Sequence, residues 1–78
     1  MDTLKHLAIN DEGFVFNPTT GESWTTNKTG LFILKLLKEG LSEEEIVNKL
    51  VEEFEIDKDT AYRDLTDFLE KLRSYKLV

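Results

Sequence analysis

The chain has 78 residues, with 40% hydrophobic and 33% charged residues, a net charge of −6 and no cysteine. That size and composition describe one small domain over residues 1–78, too apolar for a disordered chain, without disulfides or thiolate metal sites. An excess of carboxylates repels a phosphate backbone, so nucleic acid is a poor partner, and no apolar run approaches the ~20 residues that cross a bilayer. A cytoplasmic protein is the expectation.

Residues 4 to 26 hold two turn signals, Asn10-Asp11-Glu12-Gly13 and Asn17-Pro18-Thr19-Thr20-Gly21, between short segments rich in aromatic, β-branched and threonine residues. The pattern predicts three antiparallel strands, at Leu4 to Ile9, Phe14 to Asn17 and Glu22 to Thr26. Phe14 and Phe16 share one face of the second; Trp24 and Thr26 oppose Ser23 and Thr25 in the third.

A helix follows between Asn27, a good N-cap, and Gly40, a good residue for the turn beyond a helix end. Leu31, Phe32, Ile33, Leu34, Leu36 and Leu37 leave only a narrow polar stripe on it, so it is expected at the centre, covered on several sides. Ser42 with Glu45 has the spacing of a capping box, and Ile46, Val47, Leu50, Val51 and Phe54 recur at helical spacing behind it. Asp57 is placed to cap a third helix reaching about Tyr75, with Ala61, Leu65, Phe68 and Leu72 turned inward. The apolar end Leu77-Val78 is expected to pack back on the core. Three strands followed by three helices make an α+β layout, and the helices alone are winged-helix-like.

Catalytic signatures are missing from the sequence. His6 is the sole histidine, and the many glutamates of the second helix suit capping and solubility. Asp57 and Asp59 lack the spacing of a calcium loop, and no glycine-rich phosphate loop or nucleophile elbow occurs. The expectation is a protein that is not an enzyme and holds no metal or cofactor.

In order and spacing, the runs T-G-E-S-W-T-T-N, I-L-K-L-L-K-E-G, S-E-E-E-I-V-N-K-L-V-E-E-F-E-I-D and R-D-L-T-D-F-L-E-K-L with the terminal L-V resemble the PqqD family. The likeness runs from about Phe14 to the end. Two positions depart from the family pattern: Thr26, where a leucine is usual, and Lys76, where a glycine is common. The resemblance implies a peptide chaperone, or precursor-peptide recognition element. Such a protein binds the leader segment of a ribosomally made precursor and presents it to a modifying enzyme, often a radical SAM enzyme.

It also implies how the leader is held, as a strand added to the third strand beside a wall made by the third helix. Strand addition draws affinity from unpaired backbone groups and selectivity from flanking side chains. Carried onto this chain, the edge is Ser23, Trp24, Thr25 and Thr26, and the wall is the stripe Tyr62, Thr66, Leu69 and Arg73 beside the inward face. Trp24 and Tyr62 also admit a reading as partly buried core, and Leu69 one as core. Two other functions fit parts of the pattern, a winged-helix DNA-binding module and a protein adaptor using the same edge. Five acids against four bases on the third helix, Asp57, Asp59, Asp64, Asp67 and Glu70 against Lys58, Arg63, Lys71 and Arg73, speak against the former. An uncovered edge allows a monomer or a weak homodimer.

Overall fold

The computed structural model describes residues 2–78, so Met1 of the expected 1–78 domain lies outside it. The elements run α1 (Asp2–Lys5), β1 (Ala8–Ile9), β2 (Phe14–Phe16), β3 (Ser23–Thr25), α2 (Lys28–Lys38), α3 (Glu43–Phe54) and α4 (Lys58–Ser74). This is the α+β layout of three strands followed by three helices, with one short helix added in front.

That short helix corrects the first predicted strand. Leu4 and Leu7 are both 2% exposed, and a strand would send residues three apart to opposite faces. One helical turn brings them to the same side, closed by the Leu7 N–H donating to the Leu4 carbonyl at 3.2 Å. Only Ala8 and Ile9 remain extended. Lys38 of α2 secures the junction by donating from Nζ to the Leu7 carbonyl at 2.6 Å.

The sheet is antiparallel in the order β1-β2-β3, with Ala8 opposite Phe16, Val15 opposite both Ile9 and Trp24, and Phe14 opposite Thr25. Both turns close as their residues predict. Asn10 accepts through Oδ1 from the N–H groups of Glu12 and Phe14, and Asn17 accepts from Thr19. Gly13 and Gly21 take positive φ in those turns, of 93° and 79°.

Each long helix begins at the expected cap. Asn27 accepts from the Gly30 N–H at 2.8 Å and Asp57 from the Thr60 N–H at 2.7 Å. Ser42 and Glu45 exchange both bonds of a capping box, at 3.2 and 2.9 Å. α2 packs against α1, α3 and α4, and α3 against α4. Ile33, Leu34, Ile46, Val47, Leu50, Ala61 and Leu72 are fully shielded at the centre, with Val15 closing the core from the sheet. Phe32 of α2 meets Phe54 of α3 edge to face, with centroids 5.5 Å apart.

α2 and α4 end in the same motif built from different residues. After α2, the N–H of Gly40 donates to Leu37 and that of Leu41 to Leu36, with Gly40 at φ 87°. After α4, Lys76 donates to Arg73 and Leu77 to Leu72, which seats Leu77 in the core, but the left-handed residue is Lys76 at φ 59°. A side chain there crowds its own backbone, whereas glycine does not. Lys76→Gly is therefore expected to raise the unfolding free energy by roughly 0.5–1 kcal/mol after the extra chain entropy of glycine is subtracted, measured by urea denaturation.

The Asp57 carboxyl is held below its usual value by the hydrogen bonds from Thr60. Its folded form therefore favours the charged state, so its contribution to stability is present above the usual aspartate range and lost as pH falls through it. Stability should drop below about pH 4, and Asp57→Asn, which keeps a cap, should flatten that drop in thermal melts across pH 3–6.

Candidate functional site

β3 lies at the margin of the sheet, paired on one side only. In an antiparallel pair, residues alternate between bonding to the partner strand and pointing away from it. Asn17 N–H donates to Glu22 and Thr26 N–H donates to Gly13, both at 2.8 Å, so positions 22 and 26 are bonded ones. With Trp24 opposite Val15 between them, the N–H and C=O groups of Ser23 and Thr25 point outward. None of those four groups has a hydrogen-bond partner among the described residues. The sheet therefore offers two donors and two acceptors, spaced by one residue, to a further strand.

Trp24 faces inward from this edge, half-buried against the core. Its indole stacks on Tyr75, just past α4, with centroids 5.0 Å apart and planes 9° from parallel. The Lys71 ammonium stands 5.9 Å from the indole centroid. A stacked pair adds about 0.5–1.5 kcal/mol beyond its burial, and an exposed cation over a ring about 0.5–1 kcal/mol. Together these contacts tie the strand's end of the sheet to the end of α4.

Between the β3 end, the first turn of α2 and one flank of α4 lies a cleft of about 300 Å³. Thr26, Asn27, Thr29 and Gly30 line one side; Asp64, Asp67, Phe68 and Lys71 line the other, and the buried Ile33 lies beneath. Gly30 allows the two walls to approach. A Cβ there would lie 2.8 Å from Phe68 Cε1 and would also press on the Thr26 hydroxyl. The cleft is mixed in charge, with two carboxylates and one ammonium on α4 facing the N-terminal amides of α2.

The eight residues expected at the site divide. Ser23, Trp24 and Thr25 form β3, and Thr26 follows directly, lining the cleft. Tyr62 is 42% exposed, and Thr66 and Arg73 are exposed as well, but Leu69 is 7% exposed and belongs to the core. At 100° per residue, the stripe through Tyr62, Thr66 and Arg73 lies about half a turn around α4 from the flank bearing Asp64, Asp67 and Lys71. The structure thus brings Thr26 to the cleft, leaves Ser23, Trp24 and Thr25 outside its lining, and walls it with Asp64, Asp67, Phe68 and Lys71, none of which belongs to the expected stripe. The two flanks border the same apolar face, and residue spacing carries no sign of which one turns toward the sheet. From the sequence Tyr75 marks only the end of the third helix; its stack on Trp24 places it beside the edge. Among the described residues, no group of three or more His, Cys, Asp or Glu is placed to hold a metal ion, and no helix is long and apolar enough to cross a membrane.

Comparison with known proteins gives the arrangement a context. The family model described as "Coenzyme PQQ synthesis protein D (PqqD)" matches residues 12–78. Among solved structures, TbiB1 in complex with the TbiA(beta) leader peptide is similar, with 35% identity and a TM-score of 0.80 over 91% of this chain and 84% of that one. Lasso peptide synthetase B1 complexed with the leader peptide is similar at 27% identity and a TM-score of 0.75, over 88% and 82% of the two chains. No curated protein matches.

Because Gly30 sets the spacing of the cleft walls, Gly30→Ala should lower the unfolding free energy by roughly 1–2 kcal/mol in urea denaturation, the overpacking outweighing the better helix propensity.

Proposed function

The chain belongs to the PqqD family, and from that premise we propose that it is a peptide chaperone: it binds the leader segment of a ribosomally made precursor and presents the precursor to a modifying enzyme. The observation that carries this reading is the outward pair of Ser23 and Thr25 on an unpaired strand beside a cleft. An extended peptide laid along β3 would exchange backbone bonds with those two residues, which supplies affinity for almost any sequence. Its side chains would alternate between the cleft and the outer face of the sheet, so the cleft, with Phe68 as apolar surface and Asp64, Asp67 and Lys71 as polar contacts, supplies selectivity. Two similar structures at 27% and 35% identity are themselves leader-peptide complexes, which supports leader binding here.

In this mode the chain contributes binding and no chemistry. His6 is exposed in the turn between α1 and β1 and is not among the residues lining the cleft. Acids on α4 make that helix a poor reader of a DNA groove, which favours a peptide over duplex DNA. The resemblance pointed to a radical SAM partner, whereas one similar structure is of a lasso peptide synthetase protein. The partner is proposed at the level common to both, an enzyme that acts on a leader-bearing precursor, with the protein acting where precursor and enzyme meet in the cytoplasm.

The test titrates the chain by calorimetry with synthetic peptides of candidate precursor leader sequences, the tightest binder serving as the leader. Thr25→Pro removes an outward donor without touching the β2–β3 ladder, so leader affinity should fall by about tenfold or more while stability changes by less than about 1 kcal/mol. Thr25→Ala, which keeps the donor, should bind within about threefold of the wild type. A folded Thr25→Pro chain with undiminished affinity would remove β3 as the binding edge.

A further inference from the structure

Between α2 and α3 runs a groove of about 540 Å³ that shares no residue with the cleft or with any strand of the sheet. Its floor is apolar: Phe32 and Leu41 are half-buried, and Leu36 is 9% exposed. The rim is charged and one-sided. Glu39, Glu45, Glu52 and Glu53 stand against Lys49 alone, so this one groove carries half of the chain's net charge of −6. The nearby lysines of α2 are spent elsewhere, Lys35 on Asp11 at 2.8 Å and Lys38 on the Leu7 carbonyl at 2.6 Å. Among the described residues none of the four glutamates makes an ion pair. Uncompensated carboxylates around an apolar floor are complementary to a partner that is apolar on one side and cationic at its flanks.

The walls decide the shape of that partner. Both are helices, whose backbone groups are spent on their own bonds, so the groove offers no ladder to an extended peptide. A helix arrives with its backbone already satisfied. Phe32 to Glu39 spans seven residue steps and Glu45 to Glu53 eight, or roughly 10–12 Å at 1.5 Å per residue, the length of two helical turns. Two turns set one apolar stripe, at i, i+3, i+4 and i+7, on the floor. Lysine or arginine beside that stripe would meet Glu39 on the α2 wall and Glu52 and Glu53 on the α3 wall. A second copy at −6 is repelled, as are nucleic acid and anionic lipid. Among the described residues no group of three or more His, Cys, Asp or Glu is placed to hold a metal ion, so the rim is no cation site.

We propose that the α2–α3 groove docks a cationic amphipathic helix, about two turns long, presented by a partner protein. The inference stands on the groove and goes beyond the leader-binding reading. Its consequence is a chain that holds an extended peptide along β3 and a helix between α2 and α3 at the same time. So small a contact suits a weak, exchangeable partner rather than a permanent one.

The probe is a synthetic peptide of about 15 residues, long enough to populate helix by itself, with leucine on one stripe and lysine elsewhere. Its control has the same composition in scrambled order, without a stripe. Each is titrated into the isotope-labelled chain while amide shifts are followed. The wild type is compared with Glu52→Gln/Glu53→Gln, which neutralises the α3 rim, and with Glu12→Gln/Glu22→Gln, which removes the same charge from exposed positions outside the groove.

For the wild type, the largest shifts should fall on Phe32, Leu36, Leu41 and the stretch from Lys49 to Glu53, with an affinity on the order of 100 µM. The scrambled peptide should bind about fivefold or more weakly, and so should the striped peptide to Glu52→Gln/Glu53→Gln, while Glu12→Gln/Glu22→Gln stays within about twofold. Loading the chain with leader should leave the peptide affinity within about twofold. No shift at the groove, or shifts spread over the whole acidic surface, overturns the proposal. Equal binding by the scrambled peptide, or an equal loss in the two variants, reduces the effect to net charge and overturns it as well. Shifts centred on Ser23 to Thr26, or competition with leader, would hand the peptide to the leader edge. Shifts at Phe32 and Leu41 that grow with protein concentration in the absence of peptide would hand the groove to a second copy. Either result overturns the proposal. A chain that takes the helix at the groove but binds no leader overturns the leader reading alone.

Discussion

A helix with Leu31, Phe32, Ile33, Leu34, Leu36 and Leu37 around most of its circumference cannot be left in water, and the arrangement of the other elements follows from covering it. α1, α3 and α4 each take a side of α2. Fully burying one such side chain is worth about 1.5–3 kcal/mol, so each covering element is held by more than its own helix propensity. The cleft exists because this covering stops at the first turn of α2. There Asn27 ends the helix against its own amides, and Gly30 lets Phe68 come close without closing the gap.

The sheet is asymmetric in consequence. Its inner face contributes Val15, Ile9 and Trp24 to the core, and the outer face keeps Phe14 and Phe16 exposed. β1 is only two residues long, and its approach is tied to α2 through Lys38. β3 has its inward ring stacked on Tyr75, with the Lys71 ammonium 5.9 Å from its centroid, while its outward backbone groups stay unbonded. A fixed strand with a free ladder loses little further freedom when another strand joins it, which is how preorganisation turns a few backbone bonds into useful affinity.

The stability of this small chain is spread over caps and tight ends as well as the core. Asp57, Ser42 with Glu45, and Asn27 each satisfy helix amides that would otherwise be unpaired. The left-handed Lys76 runs against that economy, since glycine would fit better. Nothing in its surroundings explains the lysine. The bond from the Leu77 N–H to Leu72 nonetheless forms and brings the apolar end of the chain into the core.

What could be read from the residues alone was whatever depends on near neighbours along the chain. Asn27, Ser42, Asp57 and Gly40 mark helix ends because capping is local, and the two turns close through Asn10 and Asn17 for the same reason. Alternation likewise set Phe14 and Phe16 on one face. Tertiary packing decided the rest. Leu4 and Leu7 form a helical turn because a shared core, not strand propensity, draws both inward. Leu69 is buried in the core although it lies off the main apolar stripe of α4, and the flank with Asp64, Asp67 and Lys71 borders the cleft, with Lys71 reaching Trp24 of β3. Helical periodicity states which side of a helix is apolar, but the hand in which strands and helices wind around α2 determines which neighbouring flank meets the sheet, and that hand is a property of the folded chain as a whole.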